Sequence, residues 1–133
     1  MDSRAFGGIA AVGVIERQRL ETKNRIALIL LDSNFEIALK EYLVHRPDLF
    51  PPKEFDDTRI KEIFKRRHEV IRVVATKAPL SKEILDKAAH YYVLRNKLVH
   101  ERATVDITNS DIANYQATIQ EVLRILFGVR FPG

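Results

Sequence analysis

The chain has no cysteine among its 133 residues. Disulfides, thiolate nucleophiles and cysteine-ligated zinc are therefore excluded, and a reducing compartment suits the composition. Long apolar runs are missing too. The longest, "IALILL" from Ile26 to Leu31, covers six residues, whereas a membrane helix needs roughly 20. The opening "MDSRAFGGIAAVGVIERQRL" carries an acid at Asp2 and no small-residue cleavage site behind a clean apolar core, so no signal peptide is read. A cytoplasmic protein is expected. Gly7, Gly8 and Gly13 form neither a dinucleotide fingerprint nor a P-loop with its lysine. Residues 1–13 read as a flexible leader, followed by a single domain over 14–133 with no internal repeat or low-complexity segment.

The remainder is ordinary for a globular protein, at 46% hydrophobic and 30% charged residues, and is long enough to build a real core. The net charge of +4 is concentrated. "RIKEIFKRRHEVIR", Arg59 to Arg72, holds six Lys or Arg against two Glu. Such a stretch, centred on Lys65, Arg66 and Arg67, can attract a polyanion; a solvated helix face is the alternative.

Apolar spacing predicts four helices and no strand. The first runs from about Val14 to His45, roughly 48 Å as one rod. Leu28, Leu31, Phe35, Leu39 and Tyr42 make one stripe, and Ile26, Ile29, Leu30, Ile37 and Val44 another. Two stripes imply burial on two sides, the second against another chain. Pro47, Pro51 and Pro52 end this helix. The second is expected from Asp57 to Thr76 with Asp56 or Asp57 as N-cap. The third begins at the N-cap Ser81, and the fourth at Thr108 and Asp111, which have capping-box spacing. Gly128 stops the last helix. The expected fold is all-α, an up-and-down four-helix bundle with a long first helix that either breaks or projects an N-terminal helical arm beyond the bundle.

The third helix ends on "RNKLVHER", Arg95 to Arg102. With thirteen arginines and four histidines in the chain, an Arg and a His at this spacing are not distinctive alone. Asn96 and His100, four residues apart, share one helix face about 6 Å apart along the axis. Arg95 must reach that face from the side, which a helix distorted near His100 would ease. An arginine forks onto a phosphate, a histidine exchanges a proton near neutrality, and an asparagine orients either partner. This set suits attack of an RNA 2′-hydroxyl on the adjacent phosphate without a metal. One copy lacks a second acid/base group. The rival is structural, with Arg95 paired to Glu101 or Glu36 and His100 simply ending the helix. His45, His68 and His90 have no i, i+4 partner, so no metal or other cofactor is expected. Tyr91 and Tyr92 read as core, with stacking on a base near the site as the alternative; Asp32 and Ser33 read as helix surface, with a place at the border of the site as the alternative.

"YYVLRNKLVHE", preceded by "LLDSNFEIALKEYL" and followed by "DITNSDIANYQATIQEVLRILFG", resembles the HEPN superfamily of small helical domains over roughly Arg25 to Gly128. The family hallmark is an Arg, often with a polar residue directly after it, and a His further along the third main helix. Arg95, Asn96 and His100 match it. The resemblance implies a metal-independent endoribonuclease in which two protomers bring their Arg/His sets together, possessing RNA as substrate and a toxin or defence role. It equally covers non-catalytic interaction or nucleotide-binding modules, some within larger proteins. In that frame Arg95, Asn96 and His100 are catalytic, Lys65, Arg66, Arg67 and Arg102 bind RNA, and Glu36 orients Arg95 from the first helix. An antitoxin or another protein partner is compatible with this reading. Some toxin members place a modifiable tyrosine where this chain has Arg102, so that mode of control is not carried over.

Overall fold

The computed structural model describes residues 3–101 and 105–132, with side chains from residue 18 onward. Among them it contains five helices and no strand: α1 (Ser3–Val44), α2 (Asp57–Phe64), α3 (Arg67–Ala75), α4 (Lys82–His100) and α5 (Asn109–Phe127). The molecule is thus all-helical. Helix α1 takes in most of the stretch expected as a leader, and its 42 residues make a rod of about 63 Å.

Local chemistry sets most helix boundaries. The Asp56 carboxylate accepts from the Arg59 backbone N–H at 2.8 Å and caps α2. Ser81 does the same for α4 through the Ile84 N–H at 3.2 Å. Thr108 and Asp111 satisfy each other's backbone N–H groups at 3.0 and 3.1 Å, a complete capping box for α5. Gly128 closes α5 in the left-handed region at φ 67°, where a residue without Cβ is at ease.

The expected single helix from Asp57 to Thr76 is broken. Arg66 takes an extended backbone, φ −129° and ψ 115°, and separates α2 from α3. Lys65, Arg66 and Arg67 have no local reason to stop a helix. The cause is tertiary: the break turns Arg67 inward to meet a buried carboxylate on α1.

Helix α1 is the spine, packing against α3, α4 and α5. Its inner stripe, Leu28, Phe35, Leu39, Tyr42 and Leu43, joins Val70 and Val74 of α3, Ala88 and Tyr91 of α4, and Tyr115, Ile119 and Val122 of α5 in one core. Asn24 ties α1 to the approach of α5, donating to the Ile107 carbonyl at 2.9 Å and to Asn109 Oδ1 at 3.0 Å. The second stripe is mostly uncovered, Ile29 alone being half-buried. Ile26, Leu30, Ile37 and Val44 are exposed, spaced four, seven and seven residues apart along one face. Among the described residues, no helix is long and apolar enough to cross a membrane.

Candidate functional site

The site is organised around Asp32, an acid in the middle of α1. At about 100° per residue, Asp32 lies on the same side of α1 as Leu28, Phe35 and Leu39, and it is 3% exposed. A buried carboxylate needs partners, and three other helices provide them. The Tyr115 hydroxyl on α5 donates to Oδ1 at 2.7 Å. Arg67, at the start of α3, donates through Nη1 to Oδ2 at 3.0 Å and holds Nη2 2.9 Å from Oδ1. Arg95 on α4 brings Nε to 3.7 Å from Oδ2. Two groups, Arg67 Nη2 and Arg95 Nε, are buried without a well-aligned hydrogen bond; their attraction to Asp32 is chiefly Coulombic.

Arg67 is the most enclosed cation of the set, its side chain 8% exposed. Its guanidinium lies 4.1 Å from the centre of the Tyr92 ring and 5.1 Å from that of Phe35, so it is held between two π faces as well as by charge. The Tyr115 phenol is pushed well above the ordinary tyrosine range, first by burial and then by the Asp32 charge it faces.

Helix α4 runs unbroken to His100, and the Glu101 N–H still bonds to the Lys97 carbonyl at 3.3 Å. The distortion near His100 that would ease convergence is therefore not present. Arg95 points with Ile84, Ala88 and Tyr91 toward the core side, whereas Asn96 lies about 100° and His100 about 140° further round. Arg95 Nη1 donates to Asn96 Oδ1 at 3.1 Å, which draws the guanidinium back toward the outer face. The Arg95 side chain is 27% exposed, and His100 is exposed. Within one chain, Arg95 and Asn96 meet; His100 stands apart.

The remaining candidates divide. Glu36 does not orient Arg95: it bonds to Lys40 at 3.2 Å and lies 4.0 Å from Arg67. Arg67, expected among the RNA-binding cations, is instead spent on Asp32. Lys65 is exposed and paired with Glu62 at 2.8 Å, and Arg66 is exposed. Arg102 lies outside the described residues. Sequence reasoning missed Asp32 and Tyr115 as a polar pair, although an acid on the core angle of an apolar helix is a signal that partners exist. The described residues contain no group of three or more His, Asp or Glu able to hold a metal ion.

These side chains offer a partly exposed cation, an amide bonded to it and a surface imidazole on one helix end, with a buried carboxylate positioning the cation. Compared with protein-family models, curated proteins and solved structures, the chain finds no match.

Proposed function

We propose that the protein is a metal-independent endoribonuclease of the HEPN type, working as a pair of identical chains. The observation that carries this reading is the state of Arg95. Asp32 is already matched by Arg67 at hydrogen-bond distance, while Arg95 stands further off at 3.7 Å and keeps part of its surface in solvent. Its positive charge is left for an anion, and Asn96 holds the fork beside the outer face. The scissile phosphate fits there. His100 takes the proton from the 2′-hydroxyl, the 2′-oxygen bonds to phosphorus, and the bond to the 5′-oxygen breaks. The leaving oxygen gains a proton from a second imidazole, giving a 2′,3′-cyclic phosphate and a 5′-hydroxyl.

The presence of a single imidazole beside Arg95 and Asn96 on α4 supports the pairing, because a second copy would supply the second imidazole that the reaction uses. The uncovered stripe of Ile26, Leu30, Ile37 and Val44 is the kind of surface such a pair would bury. Taken as α1, the broken α2–α3 pair, α4 and α5, the helix order is compatible with an up-and-down bundle of HEPN type. A cytoplasmic location and an antitoxin partner belong to the same proposal.

A second reading draws on the same contacts. Arg95 held toward Asp32 also suits a non-catalytic HEPN module, in which the arginine braces α4 on α1. The deciding experiment incubates wild-type protein and His100→Ala with mixed RNAs in EDTA. Cleavage by the wild type with cyclic-phosphate ends, lost in the variant, supports the nuclease. Equal activity in the variant removes the mechanism, and no cleavage by either favours the binding module.

A further inference from the structure

The elbow between α2 and α3 forms an open groove of about 450 Å³. One wall is the turn itself, Lys65 to His68; the floor is Ile71 of α3 with Leu85, Ala89 and Tyr92 of α4. This combination is unlike a plain charged surface. The side chains of Arg66 and His68 make no hydrogen bond or close ion pair with any described residue and act on Glu62 and Glu69 only through space, whereas neighbouring Arg72 is tied to Glu69 at 2.9 Å and Lys65 to Glu62. Arg66 also gives α3 no side-chain cap, so the positive end of that helix opens beside the same turn. The apolar floor includes Tyr92, the ring on which the Arg67 guanidinium also rests.

The groove leads toward the candidate cleavage site. Leu85, Ala89, Tyr92, Asn96 and His100 follow one another at spacings of four, three, four and four residues, a single face of α4. From Tyr92 to His100 is about 12 Å along the helix, roughly three stacked nucleotides of one strand. Arg67 couples the two ends, since it stacks on Tyr92 and bonds to the Asp32 that Arg95 faces.

We propose that this groove seats one unpaired nucleotide of an RNA strand, its phosphate on Arg66 and His68 and its base against Tyr92, Ile71 and Leu85. The strand then runs along the outer face of α4 to Asn96 and His100. The inference rests on RNA being the ligand of this face, and does not require that the strand be cut. Bases stack on aromatic and apolar floors with little regard to sequence, and free cations track the backbone.

The test measures binding of a fluorescent 2′-O-methyl-RNA decamer of mixed sequence, which cannot be cleaved because the attacking hydroxyl is blocked. Ala89→Phe fills the floor without altering charge, Arg66→Ala removes the guanidinium at the turn, and Arg124→Ala removes a cation on α5 that does not line the groove. Ala89→Phe and Arg66→Ala are each expected to weaken binding about tenfold, the scale of one lost base stack or charged contact, with helicity unchanged by circular dichroism. Arg124→Ala is expected to bind as the wild type. Wild-type affinity in Ala89→Phe, or equal losses from Arg66→Ala and Arg124→Ala, would overturn the groove in favour of diffuse attraction. Loss of binding in the groove variants of a protein that cleaves no RNA would sustain the groove and remove the nuclease. Cleavage with an unchanged KM in Ala89→Phe would do the reverse.

Discussion

Asp32 and Tyr115 lie 83 residues apart in the chain, and the Tyr115 hydroxyl donates a 2.7 Å hydrogen bond to the Asp32 carboxylate in the core. With Arg67 and Arg95 on the same acid, this contact joins α1, α3, α4 and α5 at one point. The candidate site and the fold therefore share a part, and changes at Asp32 act on both.

Asp32→Asn keeps the shape and removes the charge. Arg67 is then left enclosed with only Glu36 at 4.0 Å as counter-ion, and breaking a buried pair costs about 3–5 kcal/mol. Urea denaturation is expected to show a loss of that order. Asp32→Leu combined with Arg67→Met, which removes both charges, is expected to recover most of it. A double variant no more stable than Asp32→Asn would show that the pair is not acting as a charge unit.

Tyr115 links stability to alkaline pH. Its phenol keeps its proton in the folded state, where burial and the Asp32 charge raise its pKa; unfolded, it ionises near 10. The contribution is complete below about pH 10 and is lost as pH rises from there toward the folded value. Between pH 9.5 and 11, on the order of that window, the melting temperature of wild type is expected to fall more steeply than that of Tyr115→Phe. At neutral pH the variant is expected to lose about 1–2 kcal/mol through the missing hydrogen bond. Parallel pH profiles would contradict the assignment.

Thr108→Ala removes half of the reciprocal cap on α5. A loss of about 1 kcal/mol is expected, read by thermal denaturation, while Thr108→Ser is expected to stay near the wild type. A neutral Thr108→Ala would mean that the approach from Ile107 and Asn24 fixes the start of α5 without the cap.

Leu30 and Ile37 test the pairing of chains. Both are exposed on the outer stripe of α1, so Leu30→Glu with Ile37→Glu should not harm the core. Sedimentation velocity is expected to show a pair for the wild type and a single chain for the variant, with RNA cleavage lost in parallel. A wild type that sediments as one chain at all concentrations would end the composite-site reading.

Much of the architecture is legible because it is locally encoded. Ser81, Thr108, Asp111 and Gly128 act on backbone groups within a turn of themselves, and the inner stripe of α1 repeats with the helix. The break at Arg66 is illegible for the opposite reason, since nothing nearby ends that helix and the cause is the pairing of Arg67 with Asp32, 35 residues before it. The candidate site divides in the same way. Asn96 beside Arg95 follows from adjacency, while the inward pull on Arg95 depends on an acid that reads as helix surface until its partners from three other helices are known.

The order of the helices along the chain gives the Asp32 contact a consequence for biosynthesis. Helix α1 emerges from the ribosome first and α5 last of the five, yet they are packed directly together. Until α5 arrives, the nascent chain holds its acidic centre without the tyrosine and its apolar stripe only partly sheltered. Completion of the core thus waits for the last of the five helices, and the interval before it is when a chaperone would find most to bind.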